Sequence, residues 1–286
     1  MKLITLVEQL AGELDAAGVS FGHGTTNAFD EAVWLVLWHL GLPLDELDTH
    51  AERVLLPHEE AAARDLLRQR IATRKPAAYL TREAWLQGVP FYVDERAIVP
   101  RSFIAELLAE GILDPWLSDR TERVLDLCTG NGSLAVLAAM CYPDVEVDGA
   151  DISEDALAVA GINVEKHGLQ ARVKLLQSDG LSALPGPYDL ILCNPPYVNA
   201  QSMAALPAEY RAEPELALHG GADGMDFIRT LLQQAASRLS EHGVLVLEIG
   251  NERANFEQAF PRLEAVWLET SAGEDQVLLL TKEALA

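Results

Sequence analysis

The chain has 286 residues and a formal net charge of −23 at pH 7. A surface that acidic argues against a nucleic-acid coat, which relies on Lys and Arg displacing counterions, so no direct nucleic-acid binding is expected; a basic protein or a cationic cofactor suits the sign. The length suffices to bury one large and one small domain without disulfides, and Cys128, Cys141 and Cys193 are spaced neither as CxxC pairs nor as a zinc set.

The N-terminal "MKLITLVEQLAGELDAAG" reads as a charged amphipathic helix without the apolar core of a leader, and no uninterrupted apolar run of about 18 residues follows. The expectation is a cytoplasmic protein with no membrane partner. Residues 1–78 carry helical periodicity: Leu3, Leu6, Val7, Leu10 and Leu14, then Ala32 to Leu40, then His58 to Thr73. Trp34 and Trp38 share one helical face, as core residues do. Residues 79–100 change character, with β-prone pieces at Trp85 to Leu86 and Phe91 to Val93 flanking Gly88 and Pro90, and read as a hairpin connector.

Residues 101–286 alternate apolar strands with helices, the order of an α/β doubly wound, Rossmann-like sheet. The strands expected are Val124 to Leu127, Glu146 to Ala150, Val173 to Leu176, Leu190 to Cys193, Val244 to Ile249, Ala265 to Leu268 and Val277 to Leu280. Only "ETSAGEDQ" separates the last two, too little for a parallel crossover, so the seventh strand is expected antiparallel to the sixth. The "HGGADG" at 219–224 marks a loop.

"VLDLCTGNGSLAVLAAM" is strand, turn and helix, with Gly130 and Gly132 at the bend, where room for a ligand is expected. It also fits a dinucleotide pattern through Ala135. Asp151 ends the next strand, at the distance where a carboxylate accepts hydrogen bonds from both ribose hydroxyls of an adenosine. Asp126 and Asp179 are read as closing the first and third strands, so three carboxylates are expected at one sheet edge. Such a cluster repels a pyrophosphate and suits a sulfonium with an ammonium group, which favours S-adenosylmethionine over NAD.

In "YDLILCNPPYV" the prolines end a buried strand and bias Asn194 toward an extended backbone. The Asn194 side-chain oxygen and the Pro195 carbonyl are placed to accept both N–H bonds of a flat amino group, with Pro196 completing the turn and Tyr197 stacking on the group. Asn194, Pro195, Pro196 and Tyr197 are thus the candidate catalytic set. His23, in a glycine-rich loop, reads as structural because transfer to a held amide needs no strong base. Arg101 is open to two readings, guiding a substrate or pairing with an acidic loop.

The chain resembles the HemK-like class I methyltransferases that modify the side-chain amide of glutamine, and within them the branch acting on ribosomal proteins. The resemblance rests on "GHGTTNAFDEAVWLVL" (22–37), "AAYLTREAW" (77–85), "FYVDERAIVPRS" (91–102), "LDLCTGNGSLAV" (125–136), "NPPYV" (194–198) and "EYRAEPELAL" (209–218). It implies a seven-stranded, mostly parallel catalytic sheet, a helical N-terminal domain that helps recognise the protein substrate, and a glutamine of large-subunit ribosomal protein three as acceptor. It places Asn194 to Tyr197 on the glutamine amide, Thr129, Gly130, Asn131 and Gly132 near the methionine part of the cofactor, Asp151 on its ribose, and Asp179 with its neighbours on the adenine. Asp126, Cys128, Ile152, Gly180, Leu181 and, beside its catalytic role, Asn194 complete the expected cofactor set. Where relatives often carry a bulkier residue this chain has Gly180, so adenine packing is expected to fall to Leu181. "NPPY" alone also fits an adenine-N6 methyltransferase acting on a flipped base, although no base-reading domain or basic stripe accompanies it.

Overall fold

A computed structural model describes all 286 residues. The helical first part forms α1 (Leu3–Ala16), α2 (Ala28–His39), α3 (Leu47–His50), α4 (Pro57–Thr73) and α5 (Ala77–Thr81). Leu3, Leu6, Val7, Leu10 and Leu14 line one face of α1 and are fully buried, as their spacing dictates. Helix α2 starts at Ala28, ahead of the expected Ala32, because Asn27 caps it by accepting the Asp30 N–H at 2.9 Å. Trp34 is buried in the core of these helices, and Trp38 packs at its edge.

Arg70 on α4 is the largest fully buried side chain of the chain. Its Nε donates to Glu31 of α2 at 2.8 Å and its Nη2 to the Ser20 carbonyl at 3.0 Å, while Nη1 lies 3.5 Å from Glu209. A guanidinium out of water is tolerated only with its donors matched in this way.

The connector holds β1 (Ala84–Leu86) and β2 (Val89–Phe91), an antiparallel pair. Gln87 and Gly88 turn between them at φ 50° and 73°, the two left-handed residues that a tight hairpin needs. Then follow α6 (Ile104–Ala109), β3 (Arg123–Leu127), α7 (Ser133–Cys141), β4 (Glu146–Asp151), α8 (Glu154–Lys166), β5 (Val173–Gln177), β6 (Tyr188–Cys193), α9 (Ala200–Ala205), α10 (Asp226–Arg238), β7 (Leu239–Glu248), α11 (Arg253–Ala259), β8 (Val266–Thr270) and β9 (Gly273–Thr281).

The sheet has seven strands in the order β5-β4-β3-β6-β7-β9-β8. The five from β5 to β7 run parallel, and β9 is antiparallel to both its neighbours. The last strand is thus antiparallel as expected, but it inserts between β7 and β8, which the chain order does not announce. Along β3, Val124 packs into the core on one face while Leu125 and Leu127 pack into the core on the other, so the period-two alternation buries both sides. Strand order reverses between β3 and β6, the position where doubly wound sheets open a crevice. No helix is long and apolar enough to cross a membrane.

Truncating Arg70 would leave Glu31 charged and buried. Arg70→Ala should lower unfolding free energy by about 3–5 kcal/mol in a denaturant titration; a loss under about 1 kcal/mol would contradict the anchoring role given to this pair.

Candidate active site

Parallel pairing sets Leu127 opposite Cys193, so the glycine loop after β3 and the turn after β6 leave the sheet side by side. A cavity of about 190 Å³ opens there. Cys128 and Gly130, Asp151 and Ile152, Asp179 and Gly180, and Asn194 and Pro196 line it, four chain segments that are distant in sequence. Asp126, Thr129, Asn131, Gly132, Leu181, Pro195 and Tyr197 do not line it.

Each of these exclusions has a physical cause. Asp126 lies inside β3 rather than at its end and is 1% exposed. Its Oδ2 accepts the Thr129 hydroxyl at 2.5 Å and the Ala135 N–H at 2.9 Å, tying the loop to the first turn of α7. Its Oδ1 is sealed without a donor, and burial pushes the carboxyl up to about 7. The three converging carboxylates are therefore two, Asp151 and Asp179. A Cβ on Gly132 would meet Ala160 of α8 at 3.0 Å, so that glycine makes room for a helix and not for a ligand. Asn131 is buried, with its carbonyl held by Asn163 at 2.8 Å. A Cβ on Gly130, by contrast, would find nothing nearer than the Cys128 carbonyl at 4.0 Å.

Asp151 accepts the Gly130 N–H at 2.9 Å and the Ser153 N–H at 3.0 Å, one on each oxygen, which leaves each oxygen a lone pair. Arg96 also lines the cavity, but Asp94 holds it by two hydrogen bonds of 2.9 and 2.7 Å, and that contact keeps the Asp94 carboxyl down at about 2. The matched cation offers little to a pyrophosphate. Leu181 is turned into the core, and Phe227 of α10 supplies the apolar wall instead, 3.8 Å from where a Gly180 Cβ would stand. Phe227 has no local sequence signal, since it is an ordinary position near the start of an amphipathic helix until the fold carries it to Gly180. The same holds for Ile98, Pro214, Leu216 and Ala217, which also line the cavity. An open glycine, two carboxylates and an aromatic ring suit a ligand with a cationic end and a flat base, as the residues of S-adenosylmethionine sites require.

Asn194 is half-buried at the tip of β6, with Pro195 buried behind it. Beyond them the Val198 N–H donates to the Leu218 carbonyl and the Gly220 N–H to the Val198 carbonyl, both at 2.9 Å. The "HGGADG" loop is thus the seat of the motif: a Cβ on Gly220 would come within 2.8 Å of the Pro196 carbonyl and of the Tyr197 Cα. The Tyr197 ring lies against Gly250, where a Cβ would stand 2.5 Å from it, rather than along the cavity. Burial raises the Tyr197 phenol well above its ordinary range, and the nearby Glu248 adds to the effect. Glu248, at the end of β7, accepts the Ser102 hydroxyl at 2.6 Å and the Phe103 N–H at 2.9 Å.

Of the two readings of Arg101, pairing with an acidic loop is the one observed, through Glu213. His23 is buried, lines no part of the cavity, and packs on Tyr210 with ring centroids 4.3 Å apart. Cys128, at φ 61°, lines the cavity beside Cys193; the hydrogen bond to Cys193 and burial hold its thiol above the usual range, which disfavours the thiolate a nucleophile needs. Cys141 is exposed.

Residues 105–209 match the model of the methyltransferase small domain. A ribosomal protein uL3 glutamine methyltransferase of Bordetella pertussis is 56% identical over 98% of this chain and 95% of its own length. Proteins of the same name from Burkholderia pseudomallei and Bradyrhizobium diazoefficiens are 53% and 45% identical, each over 96% of this chain and over 92% and 90% of their own lengths. Among solved structures, the hMettl16 catalytic domain in complex with MAT2A 3'UTR hairpin 6 aligns at a TM-score of 0.53 and 15% identity, covering 80% of this chain and 84% of that one. A likeness that distant speaks to the fold alone.

Burial raises Glu248 to about 7 against the hydrogen bonds from Ser102 and the backbone and the pull of Arg101. A carboxyl raised on folding stabilises the fold fully below its unfolded value near 4.5 and loses that contribution as pH climbs through about 7. Wild-type protein should therefore melt lower at pH 8 than at pH 5, with on the order of 3 kcal/mol at stake from this group. Glu248→Gln should shrink the difference in a pH series of melting curves; an unchanged difference would show that Glu248 titrates in its ordinary range.

Proposed function

Because this chain belongs to the ribosomal protein uL3 glutamine methyltransferase family, we propose that it transfers a methyl group from S-adenosylmethionine to the side-chain amide nitrogen of a glutamine in ribosomal protein uL3. The observation that carries the reading is the sharing of one cavity by Asn194 with Gly130 and Asp151. The net charge of −23 suits a basic acceptor protein, and a ribosomal substrate puts the activity in the cytoplasm.

An amide nitrogen is a weak nucleophile because its lone pair is delocalised into the carbonyl. The Asn194 side-chain oxygen and the Pro195 carbonyl accept its two N–H bonds, which localises that lone pair and aims it. Tyr197, with its ring packed on Gly250, holds the backbone of the turn in place. Asp151 takes the ribose hydroxyls, the Gly130 backbone leaves space for the methionine part, and Asp179, Gly180 and Phe227 flank the adenine. Bound S-adenosylmethionine supplies the electrophilic methyl on a charged sulfur. Alignment of donor and acceptor can contribute about 7–11 kcal/mol, so the residues need only bind and orient; as the N–C bond forms the C–S bond breaks to leave the neutral thioether, and one amide proton leaves along its hydrogen bond to solvent. Residues 1–78 serve as the substrate-recognition domain, 79–100 as connector and 101–286 as the catalytic domain.

Incubation with labelled cofactor and ribosomal proteins from cells lacking the enzyme should label uL3 at a glutamine; label in no protein ends the reading. Asn194→Ala should cut transfer at least about a hundredfold while S-adenosylhomocysteine affinity, by calorimetry, stays within a few fold. Equal loss of both would move Asn194 from the acceptor to the cofactor. Phe227→Ala should weaken S-adenosylhomocysteine about five- to tenfold, the worth of one aromatic contact; unaltered binding would remove Phe227 from the adenine site.

A further inference from the structure

The segment 209–220 joins the helical N-terminal part to the cavity, and its polar contacts are mostly buried carboxylates. Glu213 accepts both terminal nitrogens of Arg101, at 2.6 and 2.7 Å, and the Val99 N–H at 2.9 Å. His23 Nε2 stands 3.4 Å from its other side. Burial alone would raise this carboxyl, but Arg101 and then His23 hold it at about 2, so it stays anionic at neutral pH. Glu209, one turn earlier, takes the Arg74 Nε at 2.8 Å and the Ser20 N–H at 3.1 Å. Tyr210 between them packs on His23, with the Arg101 guanidinium 5.5 Å from its ring centroid.

Immediately after Glu213 the chain becomes active-site wall. Pro214, Leu216 and Ala217 line the cavity, and Leu218 and Gly220 bond to Val198, next to the Asn194–Tyr197 turn. One end of the segment is gripped by the connector and the helices; the other end carries the motif. Apart from two short 3-10 turns at Tyr210–Ala212 and Glu215–Ala217 it has no regular structure of its own to hold that geometry.

We propose that Glu213 is a positioning residue for methyl transfer, clasped by Arg101 with His23 against it, so that the 214–220 wall and the Asn194–Tyr197 turn are held in place from outside the catalytic sheet. This rests on the reading that Asn194 holds the acceptor amide. The clasp brings Arg101, at the start of the catalytic part, and His23, from the helical part, onto one carboxylate beside the active-site wall. Arg suits the role because its fork meets both carboxylate oxygens at once, which Lys cannot do.

The test compares Arg101→Ala, Arg101→Lys and Glu213→Gln with wild type for kcat, KM for uL3, S-adenosylhomocysteine binding by calorimetry, and melting temperature. We expect kcat to fall about ten- to a hundredfold in Arg101→Ala and Glu213→Gln with KM for uL3 within about threefold, since small misplacements cost catalysis more than docking. Cofactor binding should weaken a few fold. Millimolar guanidinium should restore part of the kcat of Arg101→Ala and none of that of Glu213→Gln or Asn194→Ala. A lower melting temperature with unchanged kcat, or guanidinium that raises the melting temperature without raising kcat, would reduce the pair to a structural salt bridge and overturn the proposal. If the alanine variant does not fold, Arg101→Lys decides: reduced kcat near the wild-type melting temperature supports the clasp, and full kcat overturns it. Wild-type enzyme that labels no ribosomal protein would count against the proposed function, while the calorimetric arm needs no acceptor and still reads the clasp.

Discussion

Parallel pairing of β3 with β6 is the constraint on which the rest depends. With Leu127 opposite Cys193, two chain segments that differ in chemistry leave the sheet at one edge: a glycine turn open to a ligand, and an asparagine followed by two prolines. Strand order reverses at this pair, the place where a doubly wound sheet opens a crevice at its edge. The hydrogen bonds of a parallel ladder tolerate no slip here, because a shift of one residue would turn Leu125 and Leu127 out of one core and Val124 out of the other.

Charge is distributed by depth. Asp151 is half-buried and Asp179 exposed, both line the cavity, and neither forms an ion pair, whereas Asp126 and Glu248 are sealed beneath the loops and raised to about 7 by burial. The sealed pair organises backbone, Asp126 at the start of α7 and Glu248 at the start of α6, and the cavity pair is left facing the cavity. Cations in the same region are matched, Arg96 by Asp94 and Arg101 by Glu213. The cavity therefore keeps a negative character without needing a strong base, which agrees with a reaction that depends on orientation.

The glycines divide by function in a way that spacing does not reveal. Gly130 faces the cavity, Gly132 admits Ala160, and Gly220 and Gly250 admit the Pro196–Tyr197 backbone and the Tyr197 ring. Motifs as far apart as "HGGADG" and "NPPYV" are thus one packed unit. Aspartates divide likewise: Asp126 and Asp151 look equivalent in sequence, and one position within a strand separates a buried loop anchor from a cavity carboxylate.

Local chemistry was enough to read the strand–turn–helix units, the seven strands, the antiparallel last strand, and the residues Gly130, Asp151, Asp179 and Asn194 that line the cavity, because periodicity and turn residues are properties of neighbouring positions, while Gly180 was legible only through the family resemblance. The insertion of β9 between β7 and β8, the withdrawal of Asp126 and Leu181 into the interior, the arrival of Phe227 beside Gly180 and the grip of Arg101 on Glu213 belong to the tertiary structure alone. Each depends on where side chains from distant segments exclude water from one another, and burial of that kind is decided by packing across the whole chain.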